Sequence, residues 1–216
     1  MNLSTLAGAI AVHVAETTGL EEEKIDTVRF GLEIILGALI KGIVLFSLAY
    51  LFGVLPHVVV GLITAGMFRM LSGGAHCTSY SRCLAFGVLV YLLIGKIALV
   101  MVPILTPTII LIVASLIAIT AFLCTVKWVP GEVPYRTMSG PREILLFKFL
   151  SLVYLFVWLG LIVYFTGKVD SSLLLTVILA LGVQTVSFTP LGYWMITGAD
   201  GLMIKLRIGG EPHASA

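Results

Sequence analysis

The residues best suited to chemistry lie in one polar segment between two long apolar stretches. The segment runs from Arg69 to Cys83 and reads RMLSGGAHCTSYSRC. A cysteine attacks as its thiolate, so a free thiol with a pKa of about 8.5 needs either a lowered pKa or a base that removes its proton. His76 can be that base. The segment therefore predicts a His76–Cys83 dyad that performs nucleophilic thiol chemistry.

The spacing of the dyad limits the backbone between its two members. Seven residues of straight helix would separate them by about 10.5 Å, which is too far for side chains that must approach to about 3 Å. Gly73 and Gly74 give the chain freedom to turn just before His76. We therefore predict that His76 lies on a loop or a helix end that folds back towards Cys83.

Cys83 is predicted to lie at the start of the next helix. Amide groups at a helix start carry partial positive charge, so they would stabilise a thiolate and the oxyanion of a tetrahedral intermediate. Arg82 adds a positive charge beside the thiol, and Ser79 and Ser81 are candidate caps for this helix. The pattern favours Cys83 as the nucleophile.

Other interpretations of the segment stay open. Cys77 is a rival nucleophile, although it adjoins His76 in the chain and adjacent side chains rarely point at each other. A metal site of His76, Cys77 and Cys83 would lack the CxxC pair or second histidine typical of zinc sites, so we expect neither a metal nor another cofactor. The group that orients His76 is undetermined. Its candidates are Glu33, Glu132, Glu143, Gln184, Ser72 and a backbone carbonyl.

The composition is that of an integral membrane protein. Of 216 residues, 59% are hydrophobic and 11% are charged, with a mean hydropathy of +1.13, whereas soluble domains carry about 25% charged residues. The net charge of +2 and the scattered basic residues exclude a nucleic-acid-binding surface. We expect an all-α, polytopic protein in the lipid bilayer, with residues 1–216 forming a single domain.

Six stretches approach the length of about 20 apolar residues that a membrane-spanning helix needs. They cover residues 30–52, 55–70, 84–102, 104–126, 144–165 and 173–193. Residues 1–28 predict an amphipathic helix and lack the features of a secretory signal. The expected organisation is thus an N-terminal amphipathic segment, a transmembrane bundle over residues 30–193, and a cytosolic tail over residues 194–216.

The basic residues indicate the orientation in the membrane. Ten of the thirteen lysines and arginines fall on one side when both termini are placed in the cytosol, and basic residues favour that side. His76 and Cys83 then face the cytosol, where thiols stay reduced. Lys41 lies inside a predicted span, where charge is costly. It either serves packing alone or holds an acidic precursor or Glu143.

The order Arg69, Gly73-Gly74, His76, Cys83 resembles the accessory gene regulator B (AgrB) family, membrane peptidases that mature quorum-sensing peptides in Firmicutes. The stretch from Gln184 to Pro190 is similar to the family's late span. Beside the dyad, we expect six residues to shape the site or bind substrate. They are Arg69, Ser72, Gly73, Gly74, Lys41 and Gln184.

The resemblance implies a peptidase mechanism. Cys83 would attack a backbone carbonyl of a precursor peptide, release the C-terminal part and hold the rest as a thioester. An internal thiol or hydroxyl of that peptide would then close a thiolactone or lactone ring. The implied partners are the precursor of a cyclic autoinducing peptide and a second copy of the chain, in the bacterial cytoplasmic membrane. The alternative is a membrane peptide transporter without proteolytic activity, which predicts broken helices at mid-membrane.

Overall fold

The computed structural model describes residues 3–19, 21–131 and 140–207. Glu132, a candidate for orienting His76, lies outside these ranges, as do residues 208–216 of the predicted tail. Within the described residues the chain forms eight α-helices and one 3₁₀ turn, with no strand.

The helices follow one another with short connections. They are α1 (Leu3–Thr18), α2 (Glu22–Leu51), α3 (Leu55–Ser72), α4 (Tyr80–Met101), α5 (Pro107–Trp128), α6 (Pro141–Phe165), α7 (Ser171–Ser187) and α8 (Pro190–Lys205), with the 3₁₀ turn at Val102–Ile104. Pro107, Pro141 and Pro190 occupy the first turns of their helices, where a missing N–H costs no hydrogen bond. The predicted all-α fold is confirmed.

The chain divides into two compact units, residues 1–48 and residues 49–216. The first contains α1 and most of α2. Along α1, Ala7, Ala11 and Ala15 are buried at four-residue spacing while Glu16 is exposed, so this helix has one buried face. Along α2, large apolar side chains such as Ile35 are exposed, as expected of a helix in contact with lipid.

In the second unit, α7 packs against α3, α4 and α5, and it is buried along most of its length. The core includes Phe68, Ile178, Leu181 and Phe188, each at most 2% exposed. Phe68 stacks on Tyr154 with ring centroids 5.3 Å apart and meets Phe188 edge-on at 5.9 Å. Outward-facing apolar side chains cover much of the remaining helix surface.

The described helices support a multi-pass membrane protein. Five of them (α2 to α6) are long and apolar enough to cross a bilayer, and a sixth span is possible if α7 and α8 are counted together. The sequence predicted one continuous last span over residues 173–193, and here the structure differs. Helix α7 ends at Ser187, and α8 leaves it at an angle of 89°.

The break between α7 and α8 has a local cause. Thr189 precedes Pro190 and adopts an extended backbone (φ −91°, ψ 160°), because the proline ring disfavours the helical conformation of the residue before it. The hydroxyl of Thr189 then accepts a hydrogen bond from the amide of Gly192 and caps α8. Hydropathy does not register this break, since both halves are apolar.

Gly192 is required by the tightness of this bend. A Cβ at this position would overlap the carbonyl oxygen of Val186 and approach the Cα of Ser187 to 2.7 Å. Both atoms belong to the backbone, which cannot swing away as a flexible side chain can. The start of α8 can therefore fold back over the end of α7 only with glycine at position 192.

We predict that Gly192→Ala destabilises the protein by about 1–3 kcal/mol, the usual cost of forcing an extra methyl group into a packed site. Thermal unfolding in detergent would show this as a lower melting temperature. Gly198→Ala on the same helix is the matched control, because nothing lies within 4 Å of its added Cβ and alanine favours helix. Equal melting temperatures for the two variants would contradict this account of the bend.

Candidate active site

The segment between α3 and α4, residues 73–79, carries His76 and is not helical. It begins at Gly73, which caps α3 with a positive φ of 70°, and Gly74 has a φ of 143°. A Cβ on Gly74 would lie 2.6 Å from the hydroxyl of Ser187. Because Gly74 has no side chain, the segment can lie directly on the end of α7, and there the amide of Ala75 donates to the carbonyl of Ser187 at 3.0 Å.

The guanidinium of Arg69 forms hydrogen bonds to this segment and to α7. Its Nη2 donates to the carbonyl of Ala75 at 2.6 Å and to Nε2 of His76 at 2.9 Å. Its Nη1 donates to Oε1 of Gln184 at 3.2 Å. Arginine has five donors and no acceptor, so a single half-buried side chain joins α3, α7 and the His76 segment.

Gln184 completes the connection from α7. Its amide nitrogen donates to the carbonyl of Gly73 at 2.9 Å and to the hydroxyl of Ser72 at 3.1 Å. Its oxygen accepts from Arg69, so both ends of the amide are used. Gln184 is only 4% exposed, and its hydrogen bonds therefore form away from solvent. The structure brings Arg69, Ser72, Gly73 and Gln184 together, and their role in shaping a site stays a prediction.

The hydrogen bond from Arg69 determines the tautomer of the His76 imidazole. A guanidinium only donates, so Nε2 of His76 accepts and the ring proton lies on Nδ1. Arg69 is a donor and a cation, so it is not the acceptor that the sequence analysis sought to orient His76. Nothing in the sequence except the proximity of Arg69 in the chain pointed to this pairing.

Cys83 lies in the first turn of α4 and is half-buried. Its amide donates to the carbonyl of Ser79 at 3.0 Å, so that amide is committed to the helix. The guanidinium of Arg69 is close enough to interact electrostatically with the sulfur of Cys83 and with that of Cys77. Arg69 thus donates a hydrogen bond to His76 and interacts electrostatically with Cys83, the two members of the predicted dyad.

Ser79 occupies the N-cap position predicted for it, with an extended backbone, but its side chain makes no capping hydrogen bond. Its hydroxyl instead lies 3.0 Å from that of Ser81. Lys41 is half-buried on α2 and belongs to the first unit. The structure therefore leaves its predicted role in the site untested.

Cys77, the rival nucleophile, is in an environment that favours the neutral thiol. Burial, together with the nearby Cys83 and Asp200, raises the pKa of Cys77 to about 11, against a weaker opposing effect of Arg82. The side chain of Cys83 therefore adds to the effect of burial on the pKa of Cys77. Since only a thiolate attacks efficiently, these surroundings disfavour Cys77 as the nucleophile.

A buried ion pair lies beside Cys83 that the sequence analysis did not identify. Nε of Arg82 donates to Oδ1 of Asp200 at 2.7 Å, and the two side chains are 2% and 5% exposed. Thr78 completes the cluster, because its hydroxyl donates to Oδ2 of Asp200 at 2.6 Å and accepts from Arg82 at 2.7 Å. The charge of Arg82 is therefore matched by a carboxylate, and α8 is tied to α4 and to the His76 segment.

A signal for this pair was present in the sequence. Asp200 is the single acidic residue of α8 (PLGYWMITGADGLMIK), and an acidic residue in an apolar helix generally faces a partner. Among residues 3–19, 21–131 and 140–207, no three histidine, cysteine or acidic side chains converge as metal ligands. His76, Cys77 and Cys83 accordingly form no such group.

We predict that Asp200→Asn destabilises the protein by about 3–5 kcal/mol, because it leaves the buried charge of Arg82 without a counter-ion. Thermal unfolding in detergent would measure the loss. Replacing both partners, with Arg82→Met and Asp200→Leu, should cost less than either single change, since no lone charge remains. The control is Lys24→Ala, which removes an exposed pair with Glu21 and should change little. A double variant less stable than both single ones would contradict this prediction.

The raised pKa of Cys77 leads to a prediction about thiol reactivity. The rate at which iodoacetamide modifies Cys77 should rise about tenfold per pH unit from pH 7 to pH 10, because the thiolate fraction is still far from saturation below about pH 11. Peptide mass spectrometry would follow Cys77 in a protein that retains Cys83. A plateau near pH 9 would show that Cys77 has an ordinary thiol pKa.

Comparisons with known proteins show the family of the chain. The family model described as "Accessory gene regulator B" matches residues 7–189. An AgrB-like protein of Clostridium perfringens (strain SM101 / Type A) is 24% identical over 94% of this chain and 99% of its own length. AgrB-like protein 2 of Clostridium perfringens (strain 13 / Type A) is 21% identical over the same shares of the two chains. No solved structure matches. The chain therefore belongs to the accessory gene regulator B (AgrB) family, which takes part in quorum-sensing peptide processing.

Proposed function

We propose that this protein is a membrane-embedded cysteine endopeptidase that removes the C-terminal part of a quorum-sensing precursor peptide. It does so through a thioester on Cys83 and promotes closure of a thiolactone or lactone ring. The observation that carries the proposal is the hydrogen bond of 2.9 Å between Arg69 and His76, with Cys83 at the start of α4 within electrostatic range of the same guanidinium. A base and a thiol from separate elements thus share one cationic neighbour.

The first step activates the thiol. In the resting structure the lone pair of His76 Nε2 is occupied by Arg69, so the imidazole has to exchange that contact before Nε2 can take the proton of Cys83. A carbonyl or carboxylate of the arriving peptide would accept the hydrogen bond that Arg69 gives up. Substrate binding and activation of the dyad are in this way linked.

The second step breaks the peptide bond. The sulfur of Cys83 attacks the carbonyl carbon, and a negative charge develops on the carbonyl oxygen beside a guanidinium that stabilises it. His76, now an imidazolium, cannot accept a hydrogen bond from Arg69 and faces a like charge. It therefore gives its proton to the leaving amine, which releases the C-terminal fragment and leaves the remaining peptide as a thioester.

The third step closes the ring. A thiol or hydroxyl of the bound peptide attacks the thioester carbonyl, the new thioester or ester bond forms, and Cys83 leaves as a thiolate that recovers its proton. Attack by a tethered group reaches an effective molarity of about 10⁵ M or more, so it outcompetes water, which is scarce at a lipid-lined site. No water enters the product, and the ring is lighter than the linear acid by one water.

The charge distribution supports a cytosolic site. Arg69, Arg82 and Lys127 lie at the end of the second unit that carries the His76 segment, whereas Lys168 lies at the opposite end, in the α6–α7 connection. Because basic residues favour the cytosolic side, the proposal puts His76 and Cys83 there, with both termini on the same side of the bacterial cytoplasmic membrane. Formation of a homodimer is part of the proposal and rests on the family resemblance alone.

A transporter is the second candidate function, and the break between α7 and α8 is the observation that favours it. Discontinuous helices bind substrates in many transporters. Here, however, the break lies at the end of the bundle, where Ser187 contacts the His76 segment. A transporter would keep its activity without the sulfur of Cys83, so the two functions separate in one experiment.

That experiment is co-expression of the chain in a bacterial membrane with a tagged candidate precursor, followed by mass. We predict that Cys83→Ala and His76→Ala reduce cleavage to background, because nucleophile and base act as one unit. Cys77→Ala should retain cleavage. Cys124→Ala is the matched control, since that thiol packs against the core on α5. Cleavage by Cys83→Ala of a precursor that the unaltered protein cuts would overturn the proposal.

A further inference from the structure

A cleft opens beside the candidate active site, at the break between α7 and α8. It has a volume of about 280 Å³ and is lined by Trp128, Gly131, Phe188, Pro190 and Tyr193. We call it the aromatic cleft. None of these five residues carries a charged side chain, and three of them are aromatic. A concave site of this kind selects an apolar group, with few polar contacts to orient it.

The base of the aromatic cleft is preorganised. Phe188 is 2% exposed and packs edge-on against Phe68, which in turn stacks on Tyr154. These contacts hold the ring of Phe188 in place before any ligand arrives. Binding to a rigid surface loses less conformational entropy than binding to one that must first order itself.

The aromatic cleft is continuous with the candidate active site through Gly131. The amide of Gly131 donates to the carbonyl of Ser72 at 2.8 Å. A Cβ on Gly131 would lie 3.1 Å from Cβ of Phe188, 3.2 Å from the amide nitrogen of Gly74 and 3.3 Å from Oη of Tyr193. The lining of the cleft therefore touches the glycine pair that leads into His76.

Tyr193 makes the second connection. It lines the aromatic cleft and is close enough to Arg69 to interact with it electrostatically. Arg69 is also the hydrogen-bond partner of His76. A side chain that enters the cleft would therefore contact Tyr193. Tyr193 in turn interacts with the guanidinium of Arg69, which is hydrogen-bonded to His76.

We propose that the aromatic cleft is the subsite for one large apolar side chain of the precursor peptide, next to the bond that Cys83 attacks. The volume is sufficient for a single aromatic or branched aliphatic side chain, and the lining matches its chemistry. The inference rests on the proposed peptidase function, because it names the part of the substrate that the enzyme selects. Trp128, Phe188 and Tyr193 are then its specificity-determining residues.

The test is a double-mutant cycle between the protein and the precursor. Once the cleaved bond has been located by mass, each large apolar residue near it is replaced by alanine. With the unaltered protein, one replacement should lower kcat/KM by about 10- to 200-fold, the range that apolar pockets provide. In Trp128→Ala, the same replacement should cost less than about threefold, because the contact is already lost.

Matched variants separate this effect from a general loss of structure. Trp194→Ala removes a neighbouring tryptophan that is 74% exposed and does not line the cleft, and it should leave the effect of every precursor replacement unchanged. Trp128→Phe should preserve the preference, since an aromatic wall remains. Identical costs of each precursor replacement in Trp128→Ala and in the unaltered protein would overturn the proposal.

A binding measurement provides an answer even if Trp128→Ala does not fold or no cleavage occurs. The Cys83→Ala protein is irradiated with a precursor that carries p-benzoylphenylalanine at each large apolar position in turn. From one position of the precursor, crosslinks should map to the protein fragments that contain Trp128 or Phe188–Tyr193. If the crosslinks from all positions map to other fragments, the proposed subsite is wrong. Cleft crosslinks together with no cleavage by the unaltered protein would contradict the peptidase function and leave the binding site standing.

Discussion

The guanidinium of Arg69 is a permanent charge near the end of an apolar helix, and it has to be surrounded by acceptors. Unmatched polar groups are costly at such a position. The structure meets the requirement with the carbonyl of Ala75, the imidazole of His76 and the amide oxygen of Gln184. Two of these acceptors belong to the segment between α3 and α4, and the third lies on the buried helix α7. Satisfying one charge therefore fixes the His76 segment against α3 and α7.

The His76 segment packs on helices α7 and α8, which are separated by the break after Ser187. Because α7 stops at Ser187, the carbonyl of that residue is available to the amide of Ala75. Because α8 turns away at 89°, it can place Asp200 against Arg82 and Thr78 at the start of α4. The two halves thus hold the two ends of the segment between α3 and α4. The same bend opens the aromatic cleft.

Much of this organisation is predictable from the sequence because apolar runs and helix-start residues are local signals. The spans from α2 to α6 follow from hydropathy, and the non-helical His76 segment follows from its spacing to Cys83 and from Gly73 and Gly74. The grouping of Arg69, Ser72 and Gln184 also agrees with the structure. The assignment of catalytic roles to His76 and Cys83 remains a proposal.

The parts that the sequence did not reveal depend on contacts between distant residues. Average hydropathy carries the last predicted span to residue 193, past the break after Ser187, since only Pro190 and Gly192 mark the bend. The pairing of Arg82 with Asp200 joins residues 118 positions apart, and a lone aspartate in a helix does not name its partner. The hydrogen bond between Arg69 and Nε2 of His76 was also not expected, because the sequence analysis considered partners that accept a hydrogen bond and did not consider a donor.

The central claim is a thioester between the precursor and Cys83, and trapping it is the most direct test. A precursor whose ring-closing residue is replaced by alanine would be incubated with the protein, quenched in acid and analysed by mass. We expect the N-terminal part of the precursor on the peptide that contains Cys83, and its release by hydroxylamine as the hydroxamate. Two results would contradict the account. In one, the C-terminal fragment is released and the adduct is found on Cys77; in the other, the fragment is released but neither an adduct nor a hydroxamate is detected.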